Sequence, residues 1–260
     1  MSRRTPVPLA ALTPWGQLRA GRRPRRLVQL VTGLTLYGIS VAMLVRGGLG
    51  LPPWDVMTVG LVRHLPLSFG QVVIATSFVV LLLWLPLRQL PGLGTLLNAV
   101  LIGLVADATL ARLSAPDPWA ARGALLVGGI LLNGVAGAMY IGSQFGPGPR
   151  DGLMTGLVRR TGRSVRLVRT VLEVTVLGTG WLLGGTAGVG TVLYALGIGP
   201  LVHALLPRLT VALPGHEDPT GPTGPGKDDP QRLVAMSTDA SAISANRTSG
   251  SAKNNRSASR

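Results

Sequence analysis

The sequence predicts an all-α transmembrane fold: six helices as two inverted three-helix repeats, each with a short Gly/Pro-interrupted helix. Three observations predict it: six apolar runs of spanning length, a gap-free internal duplication, and an arginine distribution weighted to one side of the membrane. Composition agrees. Of 260 residues 47% are apolar and 13% charged, where soluble domains carry roughly a quarter charged residues. Aromatic residues make up 4% while glycine numbers 36, which suits helices that approach closely in lipid better than a water-soluble core.

The elements follow in order. Residues 1–26 hold seven Arg and no long apolar run, and read as a disordered basic arm. Leu27 to Val45 is long enough to cross a hydrocarbon layer of about 30 Å, so the arm is not expected to be a cleavable leader. Further spans are expected at Ser68 to Leu87, Gly94 to Leu113, Gly123 to Ile141, Val165 to Leu183 and Val189 to Leu206, with 114–122 as a linker between membrane repeats 27–113 and 123–213. Residues 214–260 have too few apolar groups to bury and read as a disordered tail.

With the N-terminus inside, the inner flanks carry the seven Arg of the arm, Arg88, Arg208 and the cluster Arg150, Arg159, Arg160, Arg163, Arg166 and Arg169. The outer flanks carry Arg46, Arg63, Arg112 and Arg122. Positive charge accumulates on cytoplasmic flanks, so both termini are expected in the cytoplasm of a bacterial plasma-membrane protein. The net charge of +15 is thereby assigned to membrane orientation and not to nucleic acid, since the Arg residues flank apolar runs.

Sliding the chain by 96 residues superposes 28 identical residues among the 81 positions from Gly33 to Leu113, well above chance for a chain this rich in Leu, Gly and Val. Pro53 and Asp55 meet Pro149 and Asp151, and Gly60-Leu61-Val62-Arg63 meets Gly156-Leu157-Val158-Arg159. Three spans per half is an odd number, so the second half must enter the membrane from the opposite side. Inverted repeats recur in secondary transporters, with the substrate site between them. Duplication could equally record ancestry alone.

Gly47 to His64 and Phe145 to Arg160 occupy matching places and read Gly, Pro, Asp, then a short apolar helix. Asp55 and Asp151 then have two readings. One is capping of a first turn behind a proline. The other is a polar site lined by helix N-termini at membrane depth. Arg150, where the first half has Trp54, suits either an anionic substrate group or a lipid phosphate.

Only five acids lie between Leu27 and Leu213: Asp55, Asp107, Asp117, Asp151 and Glu173. Ionisable groups inside a membrane are functional candidates. Glu173 stands one turn after Arg169, as a neutralising pair or as a coupling site. Asp107 matches His203 and each is expected at an interface, while Asn98 and Asn133 are expected to hydrogen-bond between helices. The candidate substrate-binding set is Asp55, Arg150, Asp151 and Glu173.

Cysteine is absent and the three His are scattered, so no metal site is expected. No HExxH, GxSxG, phosphate-binding loop or catalytic acid pair appears, so neither an enzyme nor a cofactor is expected. The segments GLGLPPWDV, LSFGQ, PGLGTLLNA, GPGPRDGLMTGL, RRTGRSVRLVRTVLEV and VGTVLYALGIGPLV resemble the bacterial YczE/YyaS/YitT-like integral membrane proteins, over about Arg25 to Leu209. The resemblance implies a multi-helix inner-membrane protein and supplies no binding residues. The leading expectation is a secondary transporter or exporter of a small organic molecule or ion. The alternative is a non-transporting membrane protein that binds or regulates another membrane component. The partners expected are the lipid bilayer and a small-molecule or ion substrate; nothing in the pattern specifies an oligomer.

Overall fold

The computed structural model describes residues 13–213, and over them the chain is helical without a strand. A short α1 (Pro14–Arg19) precedes α2 (Arg23–Gly47), α3 (Pro53–Val62), α4 (Phe69–Trp84) and α5 (Leu93–Leu110). Then come α6 (Trp119–Gly142), α7 (Pro149–Thr161), α8 (Val165–Leu182) and α9 (Val189–Leu209). Four of these, α2, α5, α6 and α9, are long and apolar enough to cross a membrane. Of the other two expected spans, α4 has 16 residues, about 24 Å of helix. The other, α8, carries Arg166, Arg169 and Glu173 within its 18 residues.

The expected basic arm and linker are both shorter than their sequence suggested. Residues 1–12 of the arm and the tail from 214 onward lie outside the described residues. Thr13 caps α1 by accepting from the Gly16 amide, and Pro14 opens that helix. The next helix already includes Arg23 to Arg26, because Arg26 is fully buried and its guanidinium finds carbonyl partners. Likewise Trp119 to Arg122 of the linker belong to α6.

The repeated residues make repeated local structure. Pro53 and Pro149 each open a short helix at a position where the lost N–H is not needed. Ser68 caps α4 by accepting from Gln71, and its counterpart Ser164 caps α8 by accepting from Leu167. The Thr95 hydroxyl takes the Gly92 amide at the start of α5 at 3.2 Å, and Thr191 takes that of Gly188 at the start of α9, also at 3.2 Å. Gly50 and Gly146, again 96 apart, have φ of +122° and +104°, a region that side-chain-bearing residues rarely adopt.

The packing exchanges elements between halves. Helix α2 runs antiparallel to its counterpart α6, with Gly33 against Met139 and Tyr140 at one end and Gly129 against Leu44 at the other. Helix α5 packs parallel to α2 through Gly38, and α9 packs parallel to α6 through Gly134 and Gly142. Each short helix then leans on the other half, α3 on α8 and α7 on α4. Gly60 of α3 meets Gly180 and Leu183, while Gly156 of α7 meets Leu87 and Gln89. The interrupted loops cross over in the same way: Gly190 N–H donates to Leu49 O at 2.8 Å, and Gly94 N–H donates to Phe145 O at 2.9 Å.

A matched pair of arginines locks this exchange. Arg26 donates from Nε to Ser143 O and from Nη2 to Gln144 O, at 2.9 and 2.8 Å. Ninety-six residues later, Arg122 donates from Nε to Gly47 O and from Nη2 to Gly48 O, at 2.9 and 3.4 Å. The end of the first helix in each half is thus capped by an arginine of the other. A cation suits the negative end of a helix dipole, and a planar fork suits two adjacent carbonyls.

Candidate functional site

The first turns of α3 and α7 come together inside the protein. Arg150 of α7 lies with its guanidinium carbon 5.0 Å from the centre of the Trp54 ring on α3. Trp54 and Arg150 are equivalent positions of the two halves, so their contact marks where the halves meet. Arg150 Nη2 stands 3.5 Å from Asp55 Oδ1, with the Asp55 side chain only 4% exposed. Asp151 accepts from the Tyr140 hydroxyl at 3.1 Å, and that hydroxyl in turn accepts from the Gly148 amide.

These groups wall one side of a cavity of about 80 Å³, lined by Asp55, Gly148, Pro149, Arg150 and Asp151 together with Tyr37 and Val41 of α2, Val73 of α4, Asn98 and Ile102 of α5, and Tyr140 of α6. That volume suits an ion, a few waters or a very small molecule, far below the several hundred Å³ of a drug-sized pocket. Its wall mixes one cation, two carboxylates and neutral donors. Two carboxylates and one guanidinium leave one net negative charge, which the converging helix N-termini, each worth roughly half a positive charge, offset. The charges around the cavity therefore come close to balancing.

Of the four residues singled out from sequence, Asp55, Arg150 and Asp151 are brought together here and Glu173 is not. Glu173 accepts from Arg169 Nε at 2.9 Å on a face of α8 where both side chains are substantially exposed, at 40% and 44%. It does not line the cavity, to which α8 contributes no residue. Asp107 closes the foot of α4: Ser68 Oγ donates to one carboxylate oxygen and the Gly70 amide to the other, at 2.7 Å for the amide. Among the described residues no group of three or more His, Asp or Glu could hold a metal ion.

Tyr37, Tyr140 and Asn98 are the site residues that sequence reasoning missed. Asn133 bridges helices as expected, donating to Ser40 Oγ and accepting from Tyr194, both at 2.8 Å. Asn98 instead presents its amide to the cavity and makes no hydrogen bond with another described residue. The offset could have flagged them, since Tyr37 falls opposite Asn133 and Asn98 opposite Tyr194: each half places one Tyr and one Asn at these two positions, in opposite order.

A family of unknown function, DUF6198, matches residues 24–207. The chain belongs to DUF6198. An uncharacterised protein of Haemophilus influenzae is 40% identical over 177 residues, covering 68% of this chain and 81% of its own length. The uncharacterised membrane protein YczE of Bacillus subtilis is 34% identical over 178 residues, 68% of this chain and 83% of its own. Another uncharacterised protein of that organism, YyaS, is 25% identical over 179 residues, 67% and 89% respectively. No solved structure matches the chain. The DUF6198 match encloses both locking arginines and every residue around the cavity, so fold and site belong to one unit, a membrane protein with several apolar helices.

Proposed function

We propose that this protein is a secondary transporter or exporter of a small organic molecule or ion, and that its substrate site is the cavity between Asp55, Arg150 and Asp151. The observation that carries the reading is the placing of Asp55, Arg150 and Asp151, from the first turns of two short helices, around one partly open cavity between the halves. Interrupted helices whose ends face a midplane site are how transporters hold polar solutes in a bilayer, and irregular backbone at that depth is tolerated where it lines a cavity. In this reading six helices cross a bacterial plasma membrane as two inverted repeats, α3 and α7 dip in from opposite faces, and both termini are cytoplasmic. No enzyme activity, cofactor or nucleic acid enters it. The alternative, a non-transporting protein that binds or regulates another membrane component, calls for helices packed solidly through the junction, and the polar cavity weighs against it.

Two experiments test the proposal. Reporter fusions ending just after Arg63 and just after Arg160 are expected to read opposite sides of the membrane; the same side for both would dispose of the inverted arrangement. In proteoliposomes, a library of small anions, cations and amines is expected to yield at least one solute with protein-dependent flux. Arg150→Gln and the pair Asp55→Asn with Asp151→Asn are each expected to cut that flux by about tenfold or more, the loss of roughly 1.4 kcal/mol of binding. Flux that survives all three substitutions would move the site elsewhere.

A further inference from the structure

The two halves differ where their last two helices meet. In the first half, α4 and α5 are zipped: a methyl group added at Gly103 would lie 2.5 Å from Gly70 O, and Asp107 ties down the foot of α4. The equivalent helices α8 and α9 lie apart. Gly199, the counterpart of Gly103, has nothing within 4 Å of where a Cβ would be. The difference is written in the sequence. Arg166 replaces Gly70 and His203 replaces Asp107, so a bulky cation stands where backbone contact would be needed and the tethering carboxylate is gone. The two helices thus leave a groove between them where α4 and α5 are packed together.

The α9 side of the groove is apolar, with Val192 and Leu196 58% and 70% exposed. The loop 183–188 joins the C-terminus of α8 to the N-terminus of α9, so the N-terminal turn of α8, with Arg163, Arg166 and Arg169 around it, and the C-terminal turn of α9, with Arg208, lie toward the same end of the pair. Only Arg169 of these has an acidic partner, Glu173, among the described residues.

We infer that the α8–α9 groove binds an anionic phospholipid, its phosphate held at the basic end by Arg163, Arg166 and Arg208 and an acyl chain lying over Gly199. Charge decides the occupant. A second copy of the chain docked symmetrically on this face would set arginine against arginine, whereas a lipid phosphate complements the cluster and its chain matches the apolar groove. Basic ends between membrane helices on the positively flanked side are suited to anionic headgroups. The inference is independent of any transport activity.

The test uses delipidated full-length protein in neutral detergent, titrated with phosphatidylglycerol, phosphatidylcholine or inorganic phosphate and followed by native mass spectrometry and thermal shift. Phosphatidylglycerol is expected to bind and raise the melting temperature, while phosphatidylcholine and inorganic phosphate leave it unmoved. Arg163→Gln with Arg166→Gln is expected to weaken phosphatidylglycerol binding about thirtyfold, at the usual contribution per basic residue. Gly199→Leu fills open space, so it should leave the lipid-free melting temperature unchanged and still abolish the shift. Equal binding of both lipids, a full shift from inorganic phosphate alone, retention of the shift in both variants, or efficient disulfide cross-linking of a Gly199→Cys variant into dimers would each overturn the inference.

Discussion

Arg26→Met is expected to lower the midpoint of thermal unfolding in detergent by on the order of 10 °C, and to do more damage than the matching change at Arg122. The arginine is fully buried and donates to four carbonyls, those of Gln17, Ala20, Ser143 and Gln144. Its guanidinium also lies 4.3 Å from the centre of the Phe145 ring. Methionine keeps most of the apolar stem and removes the hydrogen bonds to the Ser143 and Gln144 carbonyls. At about 1.5–3 kcal/mol for each hydrogen bond from a charged group, losing these two costs about 3–6 kcal/mol. A protein of this size loses roughly 2–4 °C per kcal/mol. Arg122 is only partly buried and one of its two contacts is long, at 3.4 Å, so Arg122→Met should cost less than half as much. Lysine at 26 keeps the charge but not the fork, and its midpoint should fall between those of wild type and methionine. Equal, small shifts for Arg26→Met and Arg122→Met, measured by fluorescence-detected unfolding, would show that the carbonyls find other donors.

The contrast between Arg26 and the apolar helices explains how much of the fold could be read in advance. Val165 to Leu183 was expected as a helix and α8 occupies Val165–Leu182; Gly94 to Leu113 was expected and α5 occupies Leu93–Leu110. Such runs announce themselves because Ser164 or Gly92 starts them and a change of composition ends them. Arg26 resembles any other arginine of a basic arm until the loop around Ser143 folds against it. Its one sequence signal was its distance of 96 residues from Arg122, just outside the stretch where the duplication is densest. At the site, Asp55, Asp151 and Arg150 stood out because charge is rare in an apolar chain and helix breaks are rarer. Tyr37 and Asn98 were hidden for the opposite reason, since neutral polar groups on membrane helices usually serve helix contacts, as Asn133 does. Glu173 was rare too, but rarity says nothing about which face of α8 a side chain takes.

Gly152→Val is expected to be the most damaging single substitution at the crossing between halves, and a second change should rescue it. A Cβ at Gly152 would lie 1.9 Å from Cζ2 of Trp84. That indole is 1% exposed and donates from Nε1 to Pro149 O at 3.0 Å, so it has nowhere to move. The equivalent crossing solves the same packing with the sizes exchanged. Val56, counterpart of Gly152, is fully buried, and Gly180, counterpart of Trp84, lies against the backbone there, its own Cβ falling 2.5 Å from Met57 Cα and 2.7 Å from Val56 C. One crossing is therefore filled by an indole and the other closes on the backbone, with glycine on opposite partners. Trp84→Gly alone should leave a void and cost about 3–5 kcal/mol, as large-to-small changes in a core do. Trp84→Gly with Gly152→Val rebuilds at α4–α7 the pairing already used at α3–α8. The double variant should be more stable than either single one, with a favourable coupling of about 1–3 kcal/mol. Additive losses in the double variant would mean that the two crossings are not interchangeable, and that the Trp84 bond to Pro149 contributes more than the fit of shapes.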